Sequence, residues 1–320
     1  MADTPEHPPE AVGKPEASTA PESPTRAGFV ALIGAPNAGK STLLNCLVGS
    51  KVSIVTHKVQ TTRSLVRGIA IEGQSQVIFV DTPGIFRPRR RLDRAMVTTA
   101  WGGAHDADLV AVLIDAKKGL DDEVLSIFER IGEVRHPKIL ILNKIDLIKR
   151  DTLLALAAEA NAKVAFERTF MVSATTGSGV GDVMAWFAAM VPPGPWLYPE
   201  DQISDLPMRG LAAEITREKL FLRVHDELPY ESTVETELYK EMKDGSVRIE
   251  QTIYVARDSQ RRIILGAKGE TIKAISIAAR KELTELIEQP VHLFLFVKVR
   301  GSWSDDPERY REMGLEFPTK

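Results

Sequence analysis

Gly34-Ala35-Pro36-Asn37-Ala38-Gly39-Lys40-Ser41 follows the apolar run Phe29-Val30-Ala31-Leu32-Ile33 and leads into a helix-like stretch from Thr42. The spacing is G-x-x-x-x-G-K-[ST], set between a predicted strand and a predicted helix. Such glycines let backbone N–H groups turn inward onto phosphate oxygens, and the helix N-terminus adds favourable partial charge. Lys40 is expected to reach the β- and γ-phosphates and Ser41 to ligate Mg²⁺, with residues 34–42 forming one phosphate-binding stretch. The pattern specifies a nucleoside triphosphate without naming its base.

Outward from this loop to about Val191, short β-rich runs alternate with helix-length amphipathic stretches. The runs are Val77–Val80, Leu109–Ile114, Ile139–Leu142 and Thr169–Val172. That alternation predicts βαβ units, a mostly parallel sheet and helices on both of its faces. Residues 1–26 are rich in Pro, Glu, Ala, Ser and Thr and offer almost nothing to bury, so they read as a disordered extension. Residues 27–191 then form the first domain. Five prolines within residues 192–207 read as a stiff linker.

The base is named further along. Asn143-Lys144-Ile145-Asp146 ends the run Ile139–Leu142, where open α/β sheets place ligands. A guanine edge offers N1–H and N2–H side by side, and the Asp146 carboxylate can accept both; adenine offers neither. Asn143 either bonds near O6 and N7 or ties its loop back to the phosphate loop. Ser173-Ala174 can supply a backbone N–H to O6. Between these motifs lies Asp81-Thr82-Pro83-Gly84. Asp81 is expected to hold Mg²⁺ through water, and the Gly84 N–H to sense the γ-phosphate. Gln60-Thr61-Thr62-Arg63-Ser64 occupies a plausible first-switch position, and Thr62 is favoured over Thr61 to close over the metal. Lys40, Thr62 and Gly84 are therefore the residues expected to act on the reacting phosphates. Ile85 stands where Ras-like enzymes carry a water-orienting glutamine, so slow intrinsic turnover is expected.

Apolar residues make up 43% and charged residues 27% of the 320, ordinary values for a soluble globular chain. No apolar run is long enough to span a membrane, and the first 26 residues hold no signal-like apolar segment. One cysteine, Cys46, suits a reducing compartment. Net charge is only −3, but residues 257–281 hold seven cations against Asp258 and Glu270. A polyanion would meet that patch.

Residues 208–300 change pattern. A helix near Met208–Val224 precedes strands near Ser232–Met242 and Ser246–Val255, a glycine turn, a helix near Thr271–Glu288 and a strand at Val291–Val299. The turn Gly266-Ala267-Lys268-Gly269 is a Gly-x-x-Gly with a cation inside, flanked by Arg261, Arg262 and Lys273. Such a turn clamps the backbone of about four nucleotides. Ile264 and Ile272 are expected as the apolar floor under the bases, while Phe294 and Phe296 read as partly core. The order α-β-β-α-α-β matches a type-2 KH domain, an α+β unit smaller than the first. Residues 301–320 form a tail, whose Trp303 either packs or stacks on a base. Arg87-Pro88-Arg89-Arg90-Arg91, in the second-switch position, reads either as a solvated face or as a contact toward RNA or the second domain.

These elements in this order, with the phosphate loop and the Gln-Thr-Thr-Arg element, resemble the Era family of bacterial GTPases over about residues 28–315. The resemblance implies a P-loop GTPase domain followed by a KH domain. It also implies a GTP/GDP switch that binds 16S rRNA near its 3′ end and helps mature the 30S subunit. Mg²⁺ is the implied cofactor. In relatives the phosphate-loop asparagine, here Asn37, also helps bind K⁺, which acts like an arginine finger. The chain is expected in the cytoplasm as a monomer, touching the inner membrane peripherally at most. The alternative is a GTP-dependent module working through a protein or inner-membrane partner in cell-cycle control. An ATP-using kinase is disfavoured by Asp146.

Overall fold

A computed structural model of the chain describes residues 24–59, 61–301 and 307–318. Gln60, Trp303 and the extension up to residue 23 lie outside the described residues. The first strand, β1 (Arg26–Gly34), begins inside the stretch read as the extension. Arg26 pairs with Ser75, bridges to Pro193, and donates from Nε to the Val191 carbonyl at 2.7 Å.

Side chains alternate along β1 and build two core layers, one on each face of the sheet. Val30 and Leu32 pack with Leu43 and Leu44 of α1 (Lys40–Val48) and with Val183 and Phe187 of α5 (Val180–Met190). Ala31 and Ile33 face the other way, toward Trp101 of α2 (Arg91–Asp106), Phe128 of α3 (Asp122–Ile131) and Leu156 of α4 (Arg150–Lys163). Each large side chain buried this way contributes roughly 1.5–3 kcal/mol.

The remaining strands of this sheet are β2 (Val66–Glu72), β3 (Ser75–Asp81), β4 (Leu109–Asp115), β5 (Lys138–Asn143) and β6 (Arg168–Val172). Their order is β2-β3-β1-β4-β5-β6, parallel throughout except for β2, which runs antiparallel to β3. Strands β1, β3, β5 and β6 all end at one edge, which is where such sheets bind ligands.

The proline-rich segment is not a free spacer. It is stapled along the β2–β3 side of the first domain. Buried Gln76 accepts from the Leu197 and Tyr198 N–H groups and donates to the Tyr198 carbonyl. The Ile69 N–H donates to the Ile203 carbonyl at 2.9 Å, and Arg67 pairs with Asp205 at 2.6 Å. Proline fixes the backbone dihedral, but the neighbouring N–H and C=O groups still need partners, and an edge strand supplies them.

The second domain carries α6 (Met208–Arg223), β7 (Ser232–Glu241), β8 (Val247–Val255), α7 (Asp258–Leu265), α8 (Glu270–Ile287) and β9 (Val291–Val299). Its sheet runs β7-β8-β9, with β8 and β9 parallel, and α6 and α8 pack on one face. Helix α6 is buried on nearly every side, because the first domain covers the face that the sheet leaves open. Beyond β9, a short helix α9 (Pro307–Glu312) returns to the first domain. Buried Tyr310 and Leu315 pack there with Ala95 and Met96 of α2, and the Arg91 guanidinium lies over the Phe317 ring.

Candidate nucleotide and RNA sites

Gly39 sits at φ +97° at the head of α1, and a Cβ there would lie 2.2 Å from Asn143 Nδ2. Only glycine permits both the dihedral and the approach. Asn143 uses that approach: its Nδ2 donates to the Ala38 carbonyl at 2.9 Å, and its Oδ1 accepts from the Ala174 N–H at 3.0 Å. Of its two readings, the structure takes the loop tie. The Ser173 N–H is also engaged, by the Ser178 carbonyl, so neither of these two backbone N–H groups stands free for a base in this structure. Lys144 adds a second tie, from Nζ to the Asn37 carbonyl at 2.7 Å and to Asp115 at 2.6 Å. Asp146 stands exposed on a single helical turn, Ile145–Leu147, beyond β5, and its carboxylate accepts no hydrogen bond from the described residues. It is held in place by backbone alone, its acceptor oxygens open to a ligand edge.

Lys40 is buried and donates to the Gly34 and Ala35 carbonyls, each at 3.1 Å. Burial lowers its ammonium to about 8, with Asp81 and Glu123 pulling the other way. An anionic phosphate beside it strengthens the hold on that proton, because an opposite charge favours ionisation. The cleft over Lys40 is walled by Pro36, Asn37, Thr61, Thr62 and Gly84.

Ser41, Thr62 and Asp81, drawn from three separate motifs, converge. Ser41 Oγ lies 2.5 Å from Asp81 Oδ2 and 3.0 Å from Thr62 Oγ1, and Thr62 Oγ1 lies 3.4 Å from Asp81 Oδ2. Ser53, which carried no sequence signal, also donates to Asp81 Oδ2 at 2.9 Å. Burial pushes the Asp81 carboxyl above its usual range, and its Oδ1 is buried without a partner among the described residues. A buried, unpartnered carboxylate oxygen beside two hydroxyls suits a hard, oxygen-seeking divalent cation, so the residues present fit Mg²⁺. Thr61 is turned away, its hydroxyl held by the Lys58 carbonyl at 2.8 Å and by Thr56.

Several residues of the expected nucleotide set also serve the packing of the domain. Thr82 is buried and donates to the Leu32 carbonyl at 2.7 Å, stapling β3 to β1, while Ile145 packs on the core behind α4. Pro83 is buried, and so is Ile85, whose N–H donates to the Gly34 carbonyl at 3.1 Å. Asn37 donates from Nδ2 to the His57 carbonyl at 3.0 Å, tying the phosphate loop to the first switch.

The segment read as the first switch is held from the second domain. Arg63 is 4% exposed and donates to the Ser232 and Pro229 carbonyls at 2.8 and 3.0 Å. Burial and the like charge of Arg217 pull it down to about 9. Lys58 donates to the Phe221 and Val224 carbonyls, and the Val55 N–H to Glu218 at 2.8 Å. Lys51 bridges Glu218 and Glu282. In the second switch Arg90 pairs with Glu227, so the arginine run there partly serves domain contact. Ser64 follows at the entry to β2, half-buried.

In the second domain, Gly266 and Gly269 bracket a helical turn between α7 and α8, with Lys268 at φ +52° and exposed. Ala267, Arg261, Arg262 and Lys273 are exposed around it, and Ile272 is half-buried. Ile264 is fully buried in the core, so it cannot floor an RNA groove; the exposed apolar residue on α7 is its neighbour Ile263. Phe294 and Phe296 are exposed, 44% and 50%, rather than partly core. On β9 the alternation puts Leu293, Leu295 and Val297 inward, against the helices, and the two phenylalanines outward.

Comparison with known proteins agrees with both halves. A family model described as 50S ribosome-binding GTPase matches residues 29–144, and one described as KH domain matches residues 227–304. The chain is 70% identical over 295 residues to GTPase Era of Rhizobium meliloti (strain 1021), covering 92% of this chain and 94% of that protein. Two solved structures each superpose with a TM-score of 0.86 at 37% identity, covering 91% of this chain and 99% of theirs. One is an Aquifex aeolicus Era variant bound to GDP·AlF4⁻. The other is Era in complex with MgGDPNP and nucleotides 1506–1542 of 16S ribosomal RNA.

Proposed function

The chain belongs to the GTPase Era family, and from that premise we propose that its GTPase cycle governs binding of the 3′ end of 16S rRNA during maturation of the 30S subunit. The GTPase activity itself goes with the family. The observation that supports the coupling is the grip of α6 and the loop after it on the first switch, through Arg63, Lys58 and Glu218. A loop that closes over nucleotide and also docks on the RNA-binding domain lets each ligand bias the other.

In this reading Lys40 and the Gly84 N–H meet the phosphates, and Ser41, Thr62 and Asp81 hold Mg²⁺. When bound, that ion neutralises charge on the transferring phosphoryl group. Asp146 selects guanine. Gly266–Gly269 clamp the RNA backbone, with Lys268, Arg261, Arg262 and Lys273 supplying charge, so affinity falls steeply with salt. The relative solved with nucleotides 1506–1542 supports the choice of RNA. No helix among the described residues is long and apolar enough to cross a membrane. We place the protein in the cytoplasm, as a monomer. The reading is tested by the affinity for a single-stranded RNA copying the 16S 3′ end, with a GTP analogue and then with GDP.

Buried Ile85 offers no group to orient water, so the help must come from elsewhere. Asn37 already links the phosphate loop to the first switch, and its Oδ1 accepts nothing among the described residues. K⁺ bound there would stabilise charge developing between the β- and γ-phosphates. Hydrolysis is expected to run about tenfold or more faster in K⁺ than in Na⁺, the scale of one electrostatic contact made in the transition state. Equal rates in the two salts would remove Asn37 from that role.

A further inference from the structure

Arg217 belongs to α6 of the second domain, yet it serves the first. It is 2% exposed, and its Nη2 donates to the Thr61 carbonyl at 2.6 Å. Glu214 holds the guanidinium from behind, accepting from Nε at 2.9 Å and from Nη2, and the Phe221 ring stacks at 5.1 Å. Nη1 is buried with no acceptor among the described residues. Burying a guanidinium with one donor unmet is costly, so packing stability alone does not account for it.

The acceptor is what gives the contact meaning. The Thr61 carbonyl and the Thr62 N–H are two ends of one trans peptide plane. Fixing the carbonyl toward α6 turns the Thr62 N–H the opposite way, and Thr61 and Thr62 both line the phosphate cleft. It also sets the backbone from which Thr62 Oγ1 reaches Ser41 and Asp81. The other contacts from α6 meet the switch farther from Thr62: Val55 through Glu218, and Lys58 through the Phe221 and Val224 carbonyls. Arg63, next in the chain, lies over the Phe221 ring of α6 at 5.6 Å and donates to carbonyls in and just after the α6–β7 loop, but through its side chain and not through the Thr61–Thr62 peptide. Of the described contacts, Arg217 alone touches the peptide that presents Thr62.

We propose that Arg217 is a positioning residue for GTP hydrolysis: it holds the first switch closed from the RNA-binding domain, so the γ-phosphate corner is complete only while α6 is docked. The inference rests on Thr62 as the switch residue that closes over the metal. It names the bond by which the RNA-binding domain enters the GTPase site.

The test compares full-length wild type, Arg217→Ala, Arg217→Lys and Thr62→Ala. The readouts are Kd for a non-hydrolysable GTP analogue, Kd for GDP, both with Mg²⁺, and single-turnover hydrolysis. Arg217→Ala should weaken the analogue about tenfold or more and slow hydrolysis comparably, the loss expected for one hydrogen bond from a charged donor. GDP, which has no γ-phosphate to close upon, should bind within about twofold of wild type, which also reports a folded site. Arg217→Lys keeps a charged donor and should recover part of the loss; it carries the same test should the alanine variant fail to fold. An unchanged ratio of analogue to GDP affinity in the arginine variants, with a lowered ratio in Thr62→Ala, overturns the proposal alone. An unchanged ratio in Thr62→Ala as well overturns the reading of Thr62 beneath it.

Discussion

Asp146→Asn should lose GTP by on the order of a thousandfold and gain xanthosine triphosphate, while the fold stays as it is. The first half follows from replacing a carboxylate that accepts two N–H donors with an amide that accepts one and opposes the other. Hydrogen bonds to a charged acceptor are worth about 1.5–3 kcal/mol each, and an unmet donor at the base adds to the loss. The second half follows from xanthine, whose 2-oxo group accepts from the new Nδ2–H while N1–H still donates to Oδ1. The fold is spared because the Asp146 carboxylate makes no hydrogen bond within the described chain and stands exposed on a turn fixed by Asn143 and Lys144. Direct titration of labelled GTP and of labelled xanthosine triphosphate into wild type and variant, side by side, reads the outcome. A variant that keeps its preference for guanine contradicts the assignment of Asp146.

Gly269→Asp should abolish binding of single-stranded RNA, by about a hundredfold or more, and leave intrinsic hydrolysis within about twofold. Gly269 lies at φ +80°, and a Cβ there meets nothing within 4 Å. Aspartate is among the few residues that tolerate the left-handed region, so the strain is about 1 kcal/mol and the domain should fold. The carboxylate then sits among Lys268 and Lys273, beside the first turn of α8, whose N–H groups have no side-chain cap. It cancels part of the charge that draws phosphate and occupies the donors that would meet it. Filter binding at two salt concentrations measures the loss, and circular dichroism checks the fold. Unchanged RNA affinity would place the RNA site elsewhere on the molecule.

Most of the first domain was legible in the sequence because its inner strands β1, β3, β4 and β5 are buried on both faces and read as short apolar runs. Strand β2 was not: Arg67 and Gly68 interrupt its apolar pattern, and as an antiparallel edge it needs no continuous run. The convergence of Ser41, Thr62 and Asp81 was readable only as three motifs in order, since nothing in their spacing fixes a distance. Ser53 could not be found this way, because it belongs to no motif and acts through Asp81. The grip on the first switch was illegible for a different reason. Arg63 meets carbonyls beyond α6 and Arg217 reaches from α6 back to Thr61, each more than 150 positions away, and the sequence offered α6 only as an apolar face. Buried arginine and glutamate on α6 are the trace such a contact leaves, and they become informative only once burial is known. Ile264 shows the converse error: two adjacent isoleucines at a glycine turn look alike in sequence, and helix phase alone sends one inward and the other out.

The central claim is that nucleotide state is communicated to the RNA-binding domain, and the most direct measurement is one RNA titration made twice. A short single-stranded RNA copied from the 3′ end of 16S rRNA is titrated into the full-length protein with Mg²⁺ and a GTP analogue, then with GDP. The docked and closed first switch predicts tighter binding with the analogue, by about 5- to 150-fold, the ordinary range for coupling between two sites. Equal affinity in the two states would leave a GTPase and an RNA-binding domain on one chain and contradict the switch.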